Sequence, residues 1–266
     1  MTVINFANRL QDKFIMPSLK TKLQDTKDRL SSVVCTIPSA TVTQALAACG
    51  VDSVIIDLEH GAIDYASAHA MIAATAGTSC APLVRVAQNQ PADVKRALDL
   101  GAEGIVFPLV RTVEDTRSAV ESLRYPPDGT RGFGPFLAQS RWGETLTTYP
   151  SVVGPELICC ILVETIEALE NIESICAVPG VDMLIIAQFD LSTELGVMGQ
   201  FDHPDFVSAV RKVENAAFGA EIPLGNVALN EAQATDLFSR GYRLVGGFDA
   251  LWLREKALQI QSWCKT

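Results

Sequence analysis

Short apolar runs that each stop on a polar residue recur along the whole chain. Val54-Ile55-Ile56 runs into Asp57-Leu58-Glu59-His60, Leu83-Val84 into Arg85, and Ile161-Leu162-Val163 into Glu164. Leu184-Ile185-Ile186 is followed by Gln188 and Asp190, and Leu224 leads to Asn226. Brief runs rich in Val and Ile read as buried strands. The pattern predicts strands at 32–37, 53–57, 82–86, 104–107, 157–163, 182–186, 222–227 and 243–247. Helical spacing between them predicts helices over 41–49, 64–76, 92–100, 113–123, 166–176, 204–218, 230–239 and 250–263. Eight strand–helix alternations without a composition break predict an α/β fold, a closed (β/α)8 TIM barrel forming one domain over 1–266. An open doubly wound sheet is the rival. It loses ground because no G-x-G-x-x-G follows the first strand and the chain has no P-loop.

Punctuation supports these elements. Pro91 and Pro204 stand near the first helical position of their segments, where a missing N–H costs nothing. Gly50, Gly101 and Gly241 each follow a helix and supply the left-handed turn into the next strand. Residues 1–30 precede the first strand and predict a helical extension laid across the barrel bottom. The stretch from Tyr125 to Tyr149, rich in Gly, Pro and aromatics, departs from short connections. It is expected at the rim that carries His60 and Glu164, as a lid or binding surface, against the plainer reading of a surface excursion.

Composition narrows the function. The chain has 266 residues, 48% of them apolar and 20% charged, enough for a large core. A net charge of −10 argues against nucleic acid or an anionic membrane surface as a partner. No apolar run approaches the roughly 18–20 residues that span a bilayer, and Met1 to Lys22 has no signal-peptide core. The seven cysteines form no C-x-x-C pair, which suits free thiols in a reducing, cytoplasmic setting.

Charged groups at strand ends are what a barrel with one reactive rim requires. Glu164 and Asp190 lie one strand–helix–strand step apart, on neighbouring strand ends roughly 5 Å from each other. Two oxygen donors without His or Cys favour Mg2+ or a similar hard divalent ion; the alternative is two rim carboxylates facing water. His60, three residues after Asp57, is the one histidine of three at a strand end. It is either a general base oriented by that carboxylate or a structurally satisfied ring. Arg85 ends an apolar strand, so it meets a substrate oxygen or pairs with Glu59 or Asp57. No lysine ends a predicted strand, which disfavours Schiff-base chemistry, and no G-x-S-x-G elbow is present.

At these positions the chain resembles the HpcH/HpaI aldolases, divalent-metal (class II) pyruvate aldolases that act on 4-hydroxy-2-oxo acids. The matching stretches are VDSVIIDLEHG (51–61), PLVRV (82–86), KRALDLGAEGIVFPLV (95–110), RYPPDGTRGFG (124–134), SRWG (140–143), LVET (162–165) and DLS (190–192). The resemblance implies Glu164 and Asp190 as ligands of Mg2+ (or Mn2+ or Co2+), with His60 as the base. It implies Asp57 as the acid of the histidine's motif, Asp99 as the residue that raises the histidine's basicity, and Arg85 as the stabiliser of a pyruvate enolate. It also implies a homo-oligomer, a hexamer or trimer, whose C-terminal helix (250–266) packs on a neighbouring subunit. The chain departs from the family at Leu162, where a glutamine is usual, and at Ala187-Gln188-Phe189, where Gly-Pro-Ala is common. Leu162, Gln188 and Phe189 are therefore the expected substrate-binding positions, Gln188 replacing the lost amide and Phe189 narrowing the pocket. The implied function is cleavage of a 4-hydroxy-2-oxo acid to pyruvate and an aldehyde through a metal-bound pyruvate enolate. A second branch of the same superfamily, that of macrophomate synthase, is also similar and implies oxaloacetate decarboxylation instead. A catalytically silent barrel serving as a binding subunit is the reading from outside enzymology.

Overall fold

The computed structural model describes residues 18–25 and 28–265. Its centre is a closed barrel of eight parallel strands in sequence order. They are β1 (Leu30–Cys35), β2 (Ser53–Asp57), β3 (Ala81–Arg85), β4 (Gly104–Phe107), β5 (Ile158–Val163), β6 (Met183–Ile186), β7 (Leu224–Val227) and β8 (Leu244–Phe248). Pairing of β1 with β8, Val34 opposite Phe248, closes the ring and leaves no edge strand. Every predicted strand is present within two residues of its expected ends, and the open-sheet alternative falls away.

Helices α1 (Leu19–Gln24), α2 (Ala40–Ala48), α3 (Tyr65–Ala74), α4 (Pro91–Asp99) and α5 (Val113–Leu123) are followed by the short α6 (Ala138–Trp142) and α7 (Tyr149–Val153). The helix expected over 166–176 is broken into α8 (Ile166–Glu170) and α9 (Ile172–Cys176). Between them Asn171 leaves helical geometry and its side-chain amide donates to the Arg111 carbonyl at 3.0 Å. Helix α10 (Gln188–Glu194), unanticipated, follows β6 directly and is too short to leave a periodic signature. Then come α11 (Pro204–Gly219), α12 (Glu231–Ser239) and α13 (Asp249–Trp263).

Strand side chains alternate between faces, and here the alternation separates two cores. Ile55, Leu83, Val106, Leu162, Ile185 and Leu244 point inward and form one buried cluster inside the barrel. Val54, Val84, Ile105, Ile161, Leu184 and Leu224 point outward under the helices and form the other. The inward parity of β2, β3 and β5 carries on to Asp57, Arg85 and Glu164, so the same rule that fills the barrel aims these three charges at its C-terminal mouth.

The N-terminal mouth is closed by α1. Leu19 and Leu23, one turn apart on one helix face, are buried in the inner cluster. Lys20 pairs with Asp182 and Lys22 with Asp52, each at 2.9 Å, and the Leu19 amide donates to Glu103 at 3.3 Å. All three acids immediately precede strands. Of the extension expected over 1–30, residues 1–17 and 26–27 lie outside the described residues.

The long 125–149 segment does not lie where the sequence suggested. It follows α5 and enters β5 from below, so in its own chain it lies at the end of the barrel opposite His60 and Glu164. Arg131 reaches Asp99 at the end of α4, 2.9 Å away, and Arg141 donates to Thr75 at the end of α3, 3.1 Å away. Counting the helix inside the β4–β5 connection decides the rim, because each α-helix carries the chain back to the strand starts. At the other extreme, α13 exposes Leu251, Leu253, Leu258 and Ile260, each about half accessible. Among the described residues no helix is long and apolar enough to cross a membrane, and all seven cysteines are free thiols, five of them buried.

Replacing Leu23 by Ala should lower the free energy of unfolding by about 2–4 kcal/mol, measured by chemical denaturation. A loss well under 1 kcal/mol would show that α1 is not seated in the barrel floor.

Candidate active site

Asp57 and Arg85 are register partners at the ends of β2 and β3. Asp57 is fully buried. Its carboxylate receives Arg85 Nε at 2.8 Å and Nη2 at 2.5 Å, a two-pronged pair that fixes the plane of the guanidinium. Asp57 Oδ1 also accepts the backbone N–H groups of Glu59 and His60, at 3.0 and 3.1 Å, which folds the chain tightly after the strand. Gly61 completes that turn, since a Cβ there would lie 2.3 Å from the Asp57 carbonyl oxygen. Burial works to raise the Asp57 carboxyl, but Arg85 and the two amides outweigh it and hold it below the ordinary carboxylate value. Burial likewise works against the Arg85 charge, and Asp57, Glu59 and Glu164 more than restore it.

His60 therefore owes its backbone, not its ring, to Asp57. The imidazole is two-thirds exposed, and the carboxylate beside it is Glu59, with Oε2 3.8 Å from His60 Nε2. The same Oε2 stands 3.3 Å from Arg85 Nη1, is buried, and accepts no hydrogen bond. Burial first, then the charges of Asp57 and Asp190, raise the Glu59 carboxyl despite Arg85 and His60. Sequence reasoning considered Glu59 only as a partner for Arg85; its place inside the D-x-E-H motif was the available signal.

Glu164 ends the inward row of β5 and is 4% exposed. Its carboxylate accepts the Leu109 N–H just beyond β4. Leu109 adopts a left-handed backbone, φ 53°, that non-glycine residues seldom take. No sequence signal marks that contact. Burial, reinforced by Glu59 and Asp190, pushes the Glu164 carboxyl up to about 7, against the Leu109 amide and Arg85. Asp190 lies in the first turn of α10, on the exposed side, and lines a cavity with Arg85, Gln188 and Phe189. The cavity holds about 80 Å³, and Val34, Ile55, Val106 and Leu162 are among the hydrocarbon groups around it. Leu162 and Gln188 thus share one cavity, as the substitution of one for the other's amide requires.

Among the described residues no group of three or more His, Cys, Asp or Glu side chains is close enough to wrap an ion. The rim instead offers Glu164 and Asp190, with the unbonded Glu59 oxygen in electrostatic range. Such an oxygen set fits a hard divalent cation that completes its shell with water and substrate oxygens.

Asp99 is not brought to His60. It ends α4, five residues before β4, at the opposite end of the same barrel, where it binds Arg131. The remaining residues singled out from the sequence, His60, Arg85, Asp57, Glu164, Asp190, Gln188, Phe189 and Leu162, all belong to the C-terminal mouth or the cavity beneath it.

The family model for HpcH/HpaI aldolase/citrate lyase matches residues 35–254. The chain is similar to the 2-dehydro-3,6-dideoxy-6-sulfogluconate aldolase of Pseudomonas putida, 36% identical over 77% of this chain and 80% of that one. It is also similar to the hydroxypyruvate/pyruvate aldolase of Chromohalobacter salexigens, 35% identical over 82% of this chain and 87% of that one. Among solved structures it is similar to macrophomate synthase, with a TM-score of 0.83 and 29% identity over 93% of this chain and 90% of that one.

The raised Glu164 carboxyl links stability to pH. Its folded-state value lies above the ordinary 4.5, so it favours the fold fully below about pH 4.5, and that contribution disappears as pH rises through about 7. In chelator-treated protein, wild type should lose on the order of 2–3 kcal/mol relative to Glu164→Gln between those limits. Asp57, shifted the other way, acts only at lower pH. Denaturation of both proteins at stepped pH measures the difference, and a flat difference would mean that Glu164 is solvated.

Proposed function

This chain belongs to the HpcH/HpaI aldolase/citrate lyase family, and we propose that it is a divalent-metal pyruvate aldolase. As a carbon–carbon lyase it splits a 4-hydroxy-2-oxo acid into pyruvate and an aldehyde. The observation that carries the reading is the charge imbalance at the rim. Buried Glu164, its carboxyl pushed up to about 7 chiefly by burial, also feels Glu59 and Asp190, and Arg85, paired with Asp57, offsets them only in part.

Glu164 and Asp190 would hold Mg2+, with Mn2+ or Co2+ as substitutes, and an ion bound there draws electron density from the 2-oxo group as the neighbouring bond breaks. The remaining work falls to the chain's own side chains. Gln188 donates its amide to the substrate carboxylate at the cavity, beside the apolar Leu162. His60 accepts the proton of the 4-hydroxyl, and Glu59 is the carboxylate that orients its ring. The C3–C4 electron pair passes into the pyruvate enolate, C4 leaves as the aldehyde, and a proton returned to C3 yields pyruvate. Arg85, aimed in advance by Asp57, stabilises the enolate oxygen by about 2–4 kcal/mol.

Asp99 would serve His60 only from a neighbouring copy, because in its own chain it stands at the far end of the barrel. The assembly we favour is therefore a homo-oligomer, a hexamer or trimer, with α13 packed on the adjacent subunit. That arrangement accounts for the apolar residues α13 exposes. The free thiols suit the cytoplasm. The intact charged set at the mouth argues against a silent barrel. Oxaloacetate decarboxylation is the second reading, favoured by the likeness to macrophomate synthase; it would use the same Arg85-stabilised enolate.

Pyruvate release from a 4-hydroxy-2-oxo acid should vanish with EDTA and return with Mg2+ or Mn2+. Glu164→Ala should abolish it, and Arg85→Ala should lower kcat about 10²–10³-fold. Full turnover by Glu164→Ala would refute the metal assignment, and a faster rate on oxaloacetate would select the second reading. Asp99→Ala and Glu164→Ala proteins, each inactive alone, should regain about a quarter of wild-type activity when co-assembled, the share of random contacts that join two intact halves. No recovery would keep Asp99 out of the site.

A further inference from the structure

Phe189 stands immediately before Asp190 and lines the cavity together with Arg85, with 42% of its surface exposed. Its position is held from two directions. The ring meets Phe201 edge-on, with centroids 5.2 Å apart and planes at 80°, and Phe201 packs on Phe206 at 5.4 Å. Phe206 is buried on α11, so a three-ring stack runs from that helix to the mouth. The backbone is held as well, since Ser192 Oγ and Thr193 Oγ1 both donate to the Phe189 carbonyl, at 2.9 and 2.8 Å. An aromatic ring fixed at both backbone and edge acts as a wall and not as a flap.

The cavity beside that wall is short of polar groups. Arg85, Gln188 and Asp190 are the polar side chains lining it, and Leu162, Ile185 and Phe248 are among its hydrocarbon surfaces. On the reading given above, those three polar groups serve the reacting end of the substrate. A hydroxyl farther along the chain would lose water against Phe189 and gain no partner, whereas an apolar tail would gain burial.

We infer that Phe189, braced by Phe201 and Phe206, selects the part of the substrate beyond the 2-oxo acid. It admits compact or apolar tails and rejects the polyhydroxylated tails of sugar acids. The inference rests on the proposed orientation of the 2-oxo acid and adds its substrate class.

Binding separates this inference from turnover. With Mg2+ present, calorimetry compares 2-oxohexanoate with 5,6-dihydroxy-2-oxohexanoate, neither of which has a 4-hydroxyl to be cleaved. Wild type should prefer the apolar acid about tenfold or more. Phe189→Ala should bring the two within about threefold. Phe189→Leu, which keeps apolar bulk, should retain most of the preference, and Phe201→Ala, which removes the brace, should fall between. A preference left intact by Phe189→Ala, or a wild type that favours the dihydroxy acid, overturns the inference. Selective binding of these acids by a protein that releases no pyruvate from 4-hydroxy-2-oxo acids or from oxaloacetate would support it while refuting the lyase reading. Failure of wild type to bind either acid or pyruvate would refute both.

Discussion

The pair between Asp57 and Arg85 fixes the character of the whole mouth. Joined two-pronged at the ends of adjacent strands, it orients the guanidinium and balances one of the rim's carboxylates. Glu59, Glu164 and Asp190 are then left in mutual electrostatic range; burial first drives the Glu164 carboxyl up, and the charges of Glu59 and Asp190 add to it. A site in this condition has free energy to gain from a small multivalent cation and an anionic substrate arriving together. The same pair holds the amides of Glu59 and His60, so the backbone carrying the candidate base is anchored to the group that also aims the candidate enolate stabiliser.

The barrel makes such an arrangement affordable in stability terms because the destabilising charges are confined to one end. Two apolar clusters, one inside the strands and one beneath the helices, meet at the sheet without mixing. Below, α1 seats two leucines in the floor and neutralises acids that precede strands. Strain and uncompensated charge sit above, at left-handed Leu109 and buried Glu164, where chemistry has a use for them.

Two features of the single chain are ones that the proposed oligomer would account for. The long 125–149 segment and Asp99 crowd together at the strand-start end, far from the mouth, and α13 presents a row of apolar side chains along a helix that packs little on its own barrel. The proposed oligomer would bring the first pair to a neighbour's mouth and cover the second, which would make part of the proposed site a property of the assembly. The Phe189 wall is different in kind. It is built within one chain and depends on two further phenylalanines supplied by the turn before α11 and by α11 itself.

Strand positions, barrel closure and the inward charges Asp57, Arg85 and Glu164 were legible in the sequence, because period-two alternation and the step from strand to helix are local properties of the chain. Gln188 and Phe189 were legible as departures from a motif, although the helix they open was not, since seven residues are too few to show a period. What three dimensions alone decided is which group faces which. Asp57 holds the His60 backbone while Glu59 stands 3.8 Å from the ring, Leu109 turns left-handed to reach Glu164, and Asp99 lies at the end of the barrel away from His60. Residue order sets the face and the end of each strand, but the direction of a side chain in a crowded rim follows from the competition among charges, amides and packing that only the closed barrel brings within reach.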